Sequence, residues 1–317
     1  MEVPLELRAV TSLYDIKRAT QGDGRTIDEY IAWLNRTLRL PVPFTVFLDP
    51  QIDQDRIVPK PGDEIVVVPF SELVAVQWLP RIEEICASRA KFPASEDLNY
   101  RLPPYGPLMM SKFEFLERTA TAHPEDDNLL WIDGGIARFT PYDMSRLRLR
   151  EDYLRRVMSK VDLLISARHH LRDYAHGRPH PFFPGRCQTL TIGAMFVVPA
   201  RRAAWLRRLV FDHVEREWLA KELWDTEQTA LGELILDRKL SAAIQDESGY
   251  WLKVLAALFE PTDRVPFLQR WERTEHFWNA PLRKRAYILA RRRLISAYRA
   301  AKYKDGDRDV AAYLMAR

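Results

Sequence analysis

The acids, hydroxyls and cations best placed for chemistry fall directly after apolar runs. Asp133, with Gly134 and Gly135, closes the run NLLWI at 128–132. Asp49 closes FTVFL at 44–48, and Thr11, Ser12, Tyr14 and Asp15 stand at the polar exit of the run that starts at residue 5. If these runs are strands of an open α/β sheet, ligands bind outside their carboxyl ends, and the three acids converge on one edge. A carboxylate at Asp133 can coordinate a hard cation through oxygen, and that cation would neutralise a diphosphate. Glycines beside it let a ligand approach the backbone closely. The competing reading is turn chemistry, because an Asp at a strand end caps local amides.

Two further groups carry chemistry. Asp225 and Glu227 precede Gln228 at the start of a predicted helix. A carboxylate there can take the proton of an attacking hydroxyl. The plain alternative is that Asp225 caps the helix, with Thr226, Glu227 and Gln228 in its first turn. His169, His170, His176 and His180 lie among Pro179, Pro181 and Pro184, with Arg168 and Arg172 nearby. Imidazole is a common zinc ligand, but this spacing matches no standard zinc pattern, and a loop that touches phosphates or a solvated polar loop fits as well. The sequence holds no G-x-G-x-x-G, no G-x-x-x-x-G-K-[ST] and no G-x-S-x-G. A dinucleotide Rossmann site, a P-loop and a nucleophile elbow are therefore unsupported.

The elements that must position these residues alternate over the first 200 residues. Strands are predicted at 5–14, 44–48, 64–70, 128–132, 161–167 and 190–198, and helices at 27–39, 71–89, 107–122 and 142–159. Thr26 reads as an N-cap with Glu29 completing a capping box, and Ile27, Tyr30, Ile31, Leu34 and Leu38 follow at helical spacing. Short, continuously apolar strands suit a sheet covered on both faces. From Pro199 onward the pattern turns helical, over 200–240 and 251–302. The expected fold class is α/β: a three-layer domain with a mostly parallel sheet over residues 1–240, then a helical C-terminal extension over 241–317. Within that extension, residues 282–304 carry nine Lys and Arg and no acid, around an apolar stripe of Tyr287, Ile288, Leu294, Ile295 and Tyr298. A basic amphipathic helix reads as contact with a membrane surface, nucleic acid or a partner. A helix docked on the body with a solvated basic face is the alternative.

Composition narrows the classes. The 317 residues are 47% hydrophobic and 29% charged, which allows a sizeable core and excludes wholesale disorder. Lys and Arg number 48 against 44 Asp and Glu, for a net charge of +4. That excess is too small to demand a nucleic-acid partner. Two cysteines, Cys86 and Cys187, make no disulfide framework and fit a reducing compartment. The first residues lack the basic and apolar regions of a secretory signal, and no apolar run is long enough to span a membrane. A cytoplasmic protein is expected, with peripheral membrane contact at most.

Taken in order, several segments resemble the HtrL/YibB (WlaTC/HtrL) family. They are Thr11-Ser12-Leu13-Tyr14-Asp15 with Arg18, Tyr30-Ile31-Ala32-Trp33-Leu34, and Val46-Phe47-Leu48-Asp49. Next come Pro104-Tyr105, Leu108-Met109, Ser111-Lys112-Phe113, and Trp131-Ile132-Asp133-Gly134-Gly135-Ile136 with Arg138-Phe139. Gly193-Ala194-Met195-Phe196 and Asp225-Thr226-Glu227-Gln228 complete the set. The resemblance covers about residues 8–235 and implies a GT-A-type, Rossmann-like glycosyltransferase with a nucleoside diphosphate sugar as donor and a divalent metal, Mn or Mg. It implies that Thr11, Ser12, Tyr14 and Arg18 lie near the nucleotide and that Asp49 contacts its base or ribose. Ser111 and Lys112 would start the helix facing the donor. Asp133, with Gly134 and Gly135, would stand where such enzymes keep a D-x-D motif and would be the metal ligand. Asp225 and Glu227 would serve the acceptor, one of them as catalytic base. The sequence departs from D-x-D, because Trp131 and Gly135 flank a single acid. The acceptor would be a glycan, as in polysaccharide biosynthesis, or a lipid-linked molecule, with residues 282–304 as a peripheral membrane contact. The rival class is a non-catalytic binding protein that acts through its basic C-terminal helix on anionic lipid or nucleic acid.

Overall fold

The computed structural model describes residues 6–88, 98–139, 143–167, 191–245 and 253–262. In chain order the elements are β1 (Leu7–Leu13), α1 (Arg18–Gln21), α2 (Ile27–Thr37), β2 (Phe44–Leu48), β3 (Glu64–Val67), α3 (Leu79–Ser88), α4 (Leu98–Arg101), α5 (Tyr105–Ala122) and β4 (Asn128–Ile132). They continue with β5 (Leu147–Leu149), α6 (Glu151–Met158), β6 (Leu163–Ala167), β7 (Thr191–Pro199), α7 (Ala203–His213), α8 (Glu227–Leu236), β8 (Ala242–Ile244), α9 (Lys253–Leu258) and β9 (Phe259–Pro261).

Seven strands form one mostly parallel sheet in the order β3-β2-β1-β4-β7-β6-β8. Every neighbouring pair is parallel except those of β7, which runs against both β4 and β6. The residues of β2, β4, β6 and β7 are all buried, as their unbroken apolar runs require when both faces are covered. Successive side chains alternate faces. Val10, Trp131 and Phe196, which pair across β1, β4 and β7, join Phe113, Phe115 and Leu116 of α5 in the main core. Thr11 points the other way, toward Gly134 and Leu34 of α2.

The chain steps from β1 outward through β2 to β3, then returns to place β4 on the other side of β1. That reversal is a topological switch point, and crevices for ligands form outside the strand ends there. The residues after β1 and after β4 flank it.

Two expectations are corrected. Residues 71–89 form 3₁₀ turns at Phe70–Glu72 and Val74–Trp78 before α3 begins. Within 142–159, Leu147–Leu149 is a strand paired antiparallel to β9, and the helix is confined to α6. β8 pairs in parallel with β6 in the central sheet, and the compact unit that holds the sheet reaches Thr262. The basic stretch 282–304 and the histidines at 169, 170, 176 and 180, with Arg168 and Arg172, lie outside the described residues. No helix among the described residues is long and apolar enough to cross a membrane.

The capping box at α2 is formed. The Glu29 amide donates to Thr26 Oγ1 at 3.2 Å, and the Thr26 amide donates to Glu29 Oε2 at 2.9 Å. Replacing Thr26 with Ala should lower the unfolding free energy by about 1 kcal/mol, read as a lower urea midpoint at unchanged slope.

Candidate functional site

At the switch point four elements meet on one ammonium. Lys112 lies in the second turn of α5, and its side chain is 1% exposed. Its Nζ donates to Glu227 Oε1 at 2.7 Å and to the Gly193 carbonyl at 3.0 Å, and it lies 3.1 Å from Asp133 Oδ1. A lysine ammonium has three protons, and three acceptors surround it. Burial works against this charge, but Asp133 and Glu227 outweigh it and hold the ammonium above its ordinary range. The Nζ also lies 5.4 Å from the centre of the Trp131 ring, a position that favours a cation.

The acids of the site differ in setting. Asp133 follows β4, is 36% exposed, and its Oδ1 also accepts a 2.8 Å bond from Trp131 Nε1. Glu227 is the first residue of α8 and is 1% exposed. Burial pushes its carboxyl up, against the pull of Lys112; at 2.7 Å from the ammonium we read the two as an ion pair. The second oxygen, Glu227 Oε2, is buried without a hydrogen-bond partner among the described residues.

Two backbone features let these groups meet. Because β7 runs antiparallel to β4, its first residues lie at the carboxyl end of β4, and the Asp133 amide donates to the Ala194 carbonyl at 2.8 Å. At Gly193 a Cβ would stand 2.3 Å from Glu227 Oε1, so only glycine admits the carboxylate. The start of α8 is tied to the same strand, with Thr191 Oγ1 donating to the Gln228 carbonyl at 2.7 Å.

Beside this triad lies a zone of guanidinium and aromatic groups. Arg18 stacks over Tyr30 and Tyr105, 5.5 and 5.2 Å from their centres, and pairs with Asp23 at 2.6 Å. Arg25 reaches the same Asp23 oxygen at 3.2 Å. Arg138, six residues past β4, lies over Trp33 and Phe139 at 5.5 and 4.3 Å, and makes no ion pair among the described residues. Burial and then the nearby Arg25 lower its pKa. Tyr105 joins the zones: burial and then Glu227 push its phenol up, while Lys112 and Arg18 oppose them.

The other sequence candidates fall out as follows. Thr11 is buried against Gly134, and its Oγ1 is without a partner among the described residues. Ser12 is half-buried. Tyr14 is a core residue that stacks on Phe115 at 5.9 Å. Asp15 and Asp49 do turn chemistry, each accepting at 2.9 Å from the amide two residues on. Ser111 bonds back to the Pro107 carbonyl at 2.9 Å within its own helix. The room beside Gly134 and Gly135 is taken by Leu34 and Tyr30 of α2. Asp225 is fully buried, and its Oδ1 accepts from the Thr226 amide at 2.7 Å; Thr226, not Asp225, is the N-cap of α8. Sequence reasoning assigned no role to Arg25, Arg138 or Gly193. An isolated glycine inside a strand is the one signal that marks a close approach.

His123, Glu125 and Asp126 could together hold a metal ion among the described residues. They precede β4, at the opposite end of the sheet from Asp133. Asp126 is already paired with Arg8 at 2.7 Å, and the His123 nitrogens with Glu64 and Glu125. No family model and no curated protein matches the chain.

Removing one partner of a buried ion pair leaves the other charge uncompensated. Lys112→Met should therefore cost about 3–5 kcal/mol, and adding Glu227→Gln should restore part of that loss; chemical denaturation of the two variants measures both. The fold holds the Lys112 proton above its ordinary value of 10.5. The stability this contributes is complete below pH 10.5 and is lost as pH rises beyond it. Alkaline unfolding should be steeper in the wild type than in the double variant.

Proposed function

We propose that this chain is a GT-A-like glycosyltransferase that moves a sugar from a nucleoside diphosphate sugar to an acceptor hydroxyl, as its resemblance to the HtrL/YibB family implies. The observation that carries the reading is the meeting of Asp133, Lys112 and Glu227 at a switch point of a mostly parallel sheet, next to guanidinium groups in excess over carboxylates. Arg18 and Arg25 share one acid, Asp23, and Arg138 pairs with none among the described residues. A diphosphate needs cations, and rings that stack on guanidinium groups hold them in place.

In a direct displacement the acceptor oxygen bonds to the anomeric carbon as the carbon–oxygen bond to the diphosphate breaks. The bonding pair leaves with the diphosphate, and the acceptor's proton passes to a carboxylate. Glu227 is the better candidate for that base, because Oε2 has no hydrogen-bond partner among the described residues. Asp225 spends an oxygen on the start of α8. Arg18 and Arg138 are the cations available to the leaving group. On this reading the acceptor is a glycan or a lipid-linked molecule.

A thermal-shift screen of the full chain against nucleoside diphosphates and their sugars tests the reading. A ligand that binds the folded state raises the melting temperature by mass action. At least one nucleoside diphosphate should do so in the wild type, and the shift should shrink in Arg138→Ala. With that donor, Asp133→Ala should abolish transfer with the fold intact. Glu227→Gln should lower turnover by roughly two to four orders of magnitude. No shift with any nucleotide would refute the proposal.

A further inference from the structure

A metal-dependent transferase of this kind would hold its divalent cation on carboxylates at the end of β4. The donor set there does not fit one. Asp133 Oδ1 already accepts a 2.8 Å hydrogen bond from Trp131 Nε1 and lies 3.1 Å from Lys112 Nζ as an ion pair. Glu227 Oε1, the other acid, receives the same Nζ at 2.7 Å. A divalent ion needs oxygen ligands in number, and here a positive charge already stands between the two acids.

We infer that the Lys112 ammonium is a built-in cation that takes the place a divalent metal would hold between Asp133 and Glu227. The inference rests on reading this edge as the donor site and deepens it: the donor diphosphate is met by fixed side-chain cations. Three observations support it. The ammonium is engaged on three sides: it donates to Glu227 and to the Gly193 carbonyl and forms an ion pair with Asp133. It is built in: α5 carries it in its second turn, and Gly193 clears the space its glutamate partner needs. The fixed cations Arg18 and Arg138 supply further positive charge beside it without any metal. A metal brought to Asp133 would meet the ammonium's repulsion, and like charges a few ångströms apart oppose each other strongly when water is excluded.

The test uses the full chain and MnCl2 alone, with no nucleotide, so a failed nucleotide screen and a failed inference are told apart. Free Mn²⁺ is followed by electron paramagnetic resonance, alongside the melting temperature. In the wild type, any Mn²⁺ binding should be unchanged by Asp133→Asn. Binding that disappears in Asp133→Asn overturns the inference. Lys112→Ala removes the resident charge and leaves both acids. It should bind Mn²⁺ about tenfold tighter or more than the wild type, gain melting temperature from it, and lose both effects when Asp133→Asn is added. A folded Lys112→Ala that gains no Mn²⁺ binding also overturns the inference. If Lys112→Ala does not fold, the wild-type and Asp133→Asn pair decides alone.

Discussion

A charge buried in a protein must be matched where it stands, because water is not there to do it. The Lys112 ammonium sets that demand at the centre of this molecule, and four elements answer it: its own helix α5, the end of β4, the beginning of β7 and the first turn of α8. Much of the local architecture follows. The antiparallel course of β7 brings a carbonyl and a glycine to the edge where parallel strands finish. The break before α8 turns Glu227 inward, and the missing side chain at Gly193 lets it arrive. Changing any one of these without the others leaves a charge or an oxygen stranded.

The edge of the sheet divides into two electrostatic zones. One is compact and pairs acids with a single ammonium. The other spreads guanidinium groups over aromatic rings. Tyr105 stands between them, in contact with Arg18 and under the influence of Glu227 and Lys112. A reaction that releases a polyanion while removing a proton from a neutral hydroxyl needs this division, because the two tasks call for opposite charges within a short distance.

Much of the fold was legible because its signals are local. NLLWI followed by Asp133 reads as a buried strand and its exit, and Thr26 with Glu29 reads as a helix start; both are formed. Signals failed where tertiary pairing decides. Ala242–Ile244 has weak strand propensity and becomes a strand because β6 offers it an edge. Leu147–Leu149 sits in a helical pattern, and β9 recruits it. The site followed the same rule. Asp133 is singled out in the sequence by its position after a strand, and in the structure it lies 3.1 Å from the Lys112 ammonium. The role of Lys112 depends on Gly193 and Glu227, 81 and 115 residues away, and no periodicity spans that distance. Asp49 and Asp15 had the right position and turned out to serve their own turns, since a strand-end carboxylate looks the same in either use.

Those separations also bear on how the chain comes to be folded as it is made. At roughly 5–20 residues per second of synthesis, the 115 residues between Lys112 and Glu227 take on the order of ten seconds to emerge. Until they do, the Lys112 amine has no Glu227 to pair with. The charge balance of the site is therefore completed only once α8 has been synthesised.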